Sequence, residues 1–188
     1  MASIVLSTKD TAEARHRAIM QNLVQQRTTA STVRVTREVL QRLAGLPRSG
    51  VELVARGAVD ESRHLLWLAA CLRYRFLRDF GREVLRERSV TGRSSLTYAD
   101  FDTFWNLQSS WVDALRDAAD STRAKLRQNT FRMLREAELL STDNRVLPST
   151  PSPAAVEVIM TASPELLLSF PINDAQVAAE MAPRNGAR

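Results

Sequence analysis

The run LLWLAACL at residues 65–72 constrains this chain more than any other stretch. Helical periodicity opens at Asp60 or Glu61 and continues to Arg88. Its first half is apolar nearly all round, and such a helix must be surrounded by other helices. An all-α bundle with residues 60–88 at its centre is therefore expected. The apolar window is eight residues long and Arg73 and Arg75 follow at once. A membrane span needs about twenty apolar residues, so none is expected. The second half, RYRFLRDFGREVLRER, sets Phe76, Leu77, Phe80, Val84 and Leu85 against six arginines. Three acids interleave with those arginines, which local ion pairs explain.

The other elements arrange themselves around that helix. A first helix is expected from residues 8–10 to about 26, with Ala14, Ile19, Met20, Leu23 and Val24 inward. A second covers 32–44 with Val35, Val39, Leu40 and Leu43 inward, ended by Gly45 and Pro47. A short helix at 49–56 stops at Gly57. Residues 89–95, SVTGRSS, read as a joint. Thr97 and Asp100 form a T-x-x-D capping box for a helix at 98–109. Phe101, Phe104, Trp105, Trp111 and Trp67 fall at core spacing and are expected to pack inward rather than stack on bases. Later come a helix near 153–161 and an apolar docking segment at 166–170. The tail after Pro171, ending PRNGAR, is expected to fray. The expected divisions are a helical bundle at 1–93, a helix-turn-helix-like part at 94–171, and a flexible tail at 172–188.

Residues 121–140, STRAKLRQNTFRMLREAELL, carry the strongest functional pattern. Asp120 or Ser121 supplies a capping oxygen. At 100° per residue, Leu126, Thr130, Met133, Ala137 and Leu140 share one side, flanked by Leu134. Lys125, Gln128, Arg132 and Arg135 share the other. Five basic residues and no acid lie between Ser121 and Arg135. Arginine forks to guanine, glutamine to adenine, and lysine meets phosphate, so this face suits a DNA major groove. Arg123 and Arg127 are placed to meet phosphates. A basic stripe is also what an ordinary solvated helix shows. The order helix, helix, turn, basic helix, then a short extended stretch at 145–147 resembles a winged helix. The prolines at 148, 151 and 153 leave at most a short β element there.

Net charge of +5 and a pI near 10.3 are compatible with a polyanionic partner. Cys71 is the lone cysteine, so a disulfide within the chain and a thiolate metal cluster are both ruled out, and a reducing cytoplasm is the natural setting. MASIVLSTKD lacks the pattern of a signal peptide. Glu13-x-x-His16 and Glu61-x-x-His64 have the spacing of di-metal bundle sites. Lone inward glutamates to complete the ligand set are not evident, and surface residues explain the spacing better. No nucleophile motif, phosphate loop or cofactor signature is present. No enzyme, metal or cofactor is expected.

Several stretches together carry a family likeness: TREVLQRL, LLWLAACLRYRFLRDFGREVL, LTYADFDTFW, and STRAKLRQNTFRMLREAELL followed by RVLPSTPSP. From about Thr32 to Ile159 the chain resembles the BrxA family, small helical accessory proteins of BREX phage-defence systems. The resemblance implies an all-helical protein with some likeness to the antitermination factor NusB, an association with DNA, and no catalytic residue. A DNA-binding, non-enzymatic accessory is the expectation. A protein-interaction scaffold among other defence proteins, or NusB-like RNA binding, are the alternatives.

Overall fold

The computed structural model describes residues 1–8 and 10–182. Along the chain run α1 (Ala2–Ser7), α2 (Thr11–Met20), α3 (Thr29–Leu43), α4 (Arg48–Arg56), α5 (Val59–Arg73) and α6 (Arg75–Phe80). A π-helical turn (Gly81–Leu85) leads into α7 (Arg86–Val90), then α8 (Tyr98–Ser109), α9 (Asp113–Arg116) and α10 (Asp120–Glu136). After an irregular stretch come α11 (Pro153–Ala162), a 3-10 segment (Pro164–Ser169) and α12 (Asp174–Met181). The fold is all-α. Among the described residues the only β pairing is two isolated antiparallel bridges, Ser95 with Arg145 and Leu140 with Val146. Asn173 caps α12 by accepting from the Gln176 N–H. Residues 183–188 of the expected tail lie outside the described residues.

Three expected helices have different ends, each for a local reason. The first is split. Asp10 accepts from the Glu13 N–H at 2.7 Å and starts a new helix. That helix stops at Met20 because Asn22 turns left-handed, φ 44°. Its side chain then serves the Gln26 backbone at both ends and accepts from the Thr32 hydroxyl. The central helix breaks at Tyr74, which is extended (φ −122°, ψ 104°). Neither glycine nor proline is involved; the Tyr74 hydroxyl donates to Glu38 of α3, and the Arg42 and Arg73 guanidiniums lie over its ring. The helix expected to reach residue 140 ends at Glu136, and Glu138 adopts φ 56°.

The described residues form two compact units, one of Met1–Tyr74 with Pro151–Ala162, the other of Arg75–Thr150 with residues 163–182. In the first, α5 is the hub, with Leu65, Trp67, Leu68, Ala69, Ala70 and Cys71 buried. Helices α3, α4 and α11 pack on it, contributing Leu40, Leu43, Val51, Val156 and Ile159. Glu61 fastens the start of α5 to the start of α11. It accepts from the Ser152 hydroxyl at 2.6 Å and from the Ala58 N–H at 2.9 Å. Those two bonds hold its carboxyl below the ordinary value.

The second unit is built on aromatic rings from α6 and α8. Phe76 and Phe80 meet Phe101 and Phe104 with centroids 5.1–5.7 Å apart, and Phe76 lies edge-on to Trp105. Gly81 opens the π turn where the chain passes Ser169; a Cβ at that position would sit 2.7 Å from the Ser169 carbonyl oxygen. The Thr97–Asp100 capping box forms as expected. Trp111 does not join this core. It is 81% exposed, because the chain turns at Ser110 after α8 and leaves the indole beyond the last packed turn.

Candidate nucleic-acid interface

Helix α10 is seventeen residues long and buries Thr130, Phe131 and Leu134. Phe131 packs edge-on against Tyr98 of α8 at 4.7 Å. The centre of the buried face therefore lies one position away from the stripe through Leu126 and Met133. Stepping back four residues at a time from Phe131 reaches Arg127 and Arg123. Both lie on the side that faces α8, and both are occupied there. Arg123 Nε donates to Asp102 Oδ1 at 3.0 Å, and its Nη2 donates to the Asp102 carbonyl at 3.2 Å. Arg127 Nη1 donates to Asp102 Oδ2 at 2.6 Å. Their guanidiniums also lie over the Trp105 and Tyr98 rings, 5.9 and 4.7 Å from the centroids. One carboxylate thus clamps two arginines between α8 and α10.

Arg135 is engaged as well. Its guanidinium donates to Asn144 and lies over the ring of Phe131, while its Nε is buried without a partner. Asn144 sits at φ 62° in the turn of a small hairpin. Leu139 accepts from the Leu147 N–H at 3.0 Å, and Ser141 donates to the Arg145 carbonyl at 2.8 Å. The strip 145–147 also meets 94–96: the Val146 N–H donates to the Ser94 carbonyl at 2.6 Å. Arg135 therefore braces the hairpin against the helix that precedes it.

What remains on the solvent side is Ser121, Lys125, Gln128, Arg132 and Glu136, all exposed. Arg132 and Glu136 form a loose pair at 3.6 Å, both two-thirds exposed. Such a pair is weak in water and yields readily to a phosphate. Of the six residues expected to contact DNA, Lys125, Gln128 and Arg132 face solvent. Arg123, Arg127 and Arg135 serve the interior of this unit.

A family profile described as BrxA matches residues 1–163. The chain belongs to the BrxA family. That match takes in the first thirty-one residues, which the quoted likeness began after. Among the BrxA relatives, "BREX protein BrxA" of Bacillus cereus (strain H3081.97) is 28% identical over 128 residues, covering 68% of this chain. "BREX protein BrxA" of Escherichia coli O9:H4 (strain HS) is 26% identical over 145 residues, covering 77%. The chain spans 64% and 68% of the lengths of those two proteins. The BrxA fold is shared with a solved structure, an uncharacterized protein from Magnetospirillum magneticum, at TM-score 0.71 and 20% identity, over 90% of this chain and 87% of that one.

The two Glu-x-x-His spacings of this BrxA-family chain fall on α2 and α5. Glu13 pairs with Arg17 at 3.2 Å, His16 is exposed, and Glu61 is engaged with Ser152 and Ala58. Among the described residues no three His, Cys, Asp or Glu side chains are grouped to hold a metal, and no helix is long and apolar enough to cross a membrane. Sequence reasoning missed Asp102, the residue on which the placement of α10 turns. It lies 25 residues from Arg127, and no local pattern links them.

Proposed function

We infer that this chain is a non-enzymatic, DNA-binding accessory of a BREX phage-defence system that offers the outer stripe of α10 to duplex DNA. The observation that carries this reading is the solvent stripe Ser121, Lys125, Gln128 and Arg132, which Glu136 meets only through a loose pair with Arg132, on a helix fixed from behind by Asp102. A rigid helix presents its side chains to a groove at little entropic cost. Helices α8 to α10 followed by the hairpin have the order of a winged helix, in which the last helix enters the major groove. Lys125 and Arg132 take phosphates and Gln128 reaches a base edge. Two phosphate contacts give a slope of log K on log salt near −1.8, about a twelvefold loss between ~50 and ~200 mM.

The test is fluorescence anisotropy on duplex DNA with Lys125→Glu/Arg132→Glu. The expected result is loss of binding with an unchanged circular dichroism spectrum. Unchanged affinity removes α10 from the account. Competition between duplex DNA and single-stranded RNA separates this reading from a NusB-like role.

A second reading has one observation in its favour. Leu107, Trp111 and Val112 are exposed beside Asp113 and Asp117. Asp113 is matched by Arg116 at 2.9 Å, which leaves an exposed apolar tip of the kind that suits a protein partner in a defence complex. A complex that survives nuclease and is lost in Trp111→Ser supports this scaffold role.

A further inference from the structure

The first unit carries a second cationic surface. A cleft of about 440 Å³ on α3 is lined by Arg34, Val35, Arg37, Glu38, Gln41 and Arg73. Arg34, Arg37 and Gln41 recur at helical spacing on one face of α3, and Arg73 reaches the same cleft from the last turn of α5. Carboxylates bring arginines together elsewhere in this chain. Among the described lining residues the only acid is Glu38, and it is already engaged: Arg42 Nε donates to its Oε1 at 2.8 Å and the Tyr74 hydroxyl donates to the same oxygen. Arg73 Nη2 donates to the neutral amide of Gln41 at 3.1 Å and its guanidinium lies over Tyr74. Arg34 and Arg37 are exposed and, among the described residues, make neither a hydrogen bond nor an ion pair. Four arginines against one glutamate leave a local charge of +3, where the exposed stripe of α10 with Glu136 carries +1.

We propose that this α3–α5 cleft is a phosphate-binding site that grips the backbone of duplex DNA. The identification of the polyanion as DNA rests on the proposed function; the site itself is separate from α10. Arginine is the side chain that best matches the planar, two-point geometry of a phosphodiester. From Arg34 to Gln41 is seven residues, about 10 Å of helix axis at ~1.5 Å per residue, close to three nucleotides at ~3.4 Å per step along one strand. Three guanidiniums and one amide meet that length. Glu38 does not oppose the ligand, because its charge is met by Arg42 beside it. The Tyr74 ring, with the Arg42 and Arg73 guanidiniums 5.4 and 5.6 Å from its centroid, supplies a surface against which Arg73 lies.

Anisotropy of the full chain on a mixed-sequence duplex of about twenty-five base pairs, across ~50–200 mM salt, tests the site. Three proteins are compared: wild type, Arg34→Ala/Arg37→Ala/Arg73→Ala, and Lys125→Ala/Arg132→Ala. Removing three phosphate contacts lowers the salt slope by about 2.7, so the affinity ratio of wild type to the cleft variant falls roughly fortyfold across that range. Arg34→Ala/Arg37→Ala touches only side chains without partners among the described residues and keeps the test independent of Arg73; its slope falls by about 1.8. Wild-type binding with an unchanged slope in both cleft variants overturns the site and leaves α10 standing. A loss in the cleft variants with none in Lys125→Ala/Arg132→Ala upholds the site and removes α10. No wild-type binding at ~50 mM salt overturns both. Cleft variants that weaken on single-stranded RNA but not on duplex DNA overturn the duplex assignment.

Discussion

Asp102→Ala is the perturbation that separates arginines that hold the fold from arginines that bind. In the structure one carboxylate receives Arg123 at 3.0 Å and Arg127 at 2.6 Å, with all three side chains 26–30% exposed. A fully buried pair broken from one side costs about 3–5 kcal/mol, and an exposed pair about 0.2–1. Each charge-assisted hydrogen bond contributes about 1.5–3 kcal/mol when shielded from water. At roughly a quarter to a third exposure, water recovers part of both bonds, and about 2–3 kcal/mol is expected for the alanine variant. Asparagine keeps one acceptor oxygen and should lose about half of that. For a chain of this size the first figure corresponds to a thermal midpoint about 4–12 °C lower.

The assay is thermal and urea unfolding of Asp102→Ala, Arg127→Ala and the double variant. Because the two side chains touch, the double variant should be less destabilised than the sum of the singles, by about 1 kcal/mol or more. The same alanine variant frees two guanidiniums next to the proposed DNA face. Its salt slope should then steepen, by up to about 1.8 if both reach phosphates. A variant within ~0.5 kcal/mol of wild type, with additive singles, would refute the clamp and return Arg123 and Arg127 to the list of free cations.

The interior of the second unit should be sensitive where rings and backbone meet. Phe131→Ala removes a fully buried ring and should cost about 3–5 kcal/mol in urea unfolding. Gly81→Ala sets a methyl 2.7 Å from the Ser169 carbonyl and 3.2 Å from its Cα, and should cost about 1–3 kcal/mol by the same measurement. Trp111→Ser, at an 81% exposed site, should stay within ~0.5 kcal/mol of wild type. Glu38 supplies a pH test: burial alone raises its carboxyl, but the Tyr74 and Arg42 hydrogen bonds and the Arg42 and Arg73 charges overcome that and hold it below its ordinary value. The unfolded chain then takes up the proton at higher pH than the folded one, so this stabilisation is full above the ordinary glutamate value and drains as pH falls through the folded one. Glu38→Gln should flatten the acid side of a stability–pH curve.

Elements governed by neighbours in sequence were legible in advance. The Thr97–Asp100 box needs only its own three-residue spacing, and the burial of residues 65–72 follows from the absence of a polar side on that helix. The break at Tyr74 was not legible, because what draws the residue out of the helix is Glu38, 36 positions earlier. Helix α10 shows the same division more sharply. Its existence and the outward placing of Lys125, Gln128 and Arg132 follow from periodicity. Its rotation does not: a wheel that sorts by residue type turns every arginine outward, whereas Asp102, Tyr98 and Trp105 of α8 supply a charged and aromatic wall that lets Arg123 and Arg127 face inward beside Phe131.

That inward turn changes what the basic composition means. Many arginines of this chain are matched within a helical turn, as in Arg17 with Glu13, Arg48 with Glu52, Arg63 with Asp60 and Arg116 with Asp113. Others tie distant segments of one unit, as Arg86 does with Asp174 and Arg88 with Asp100. Paired charges project little field beyond a Debye length of about 8 Å, so the number of arginines is a poor guide to where a polyanion lands. The field that reaches solvent comes from cations whose local acid is missing or already engaged. By that criterion α3, with Arg34 and Arg37 unpaired among the described residues and Glu38 neutralised by Arg42, outranks the helix whose sequence looks most like a DNA reader. If both proposed sites bind as inferred, the three arginines of the first unit's cleft should account for a larger part of the salt slope, about 2.7, than the two cations of the α10 stripe, about 1.8.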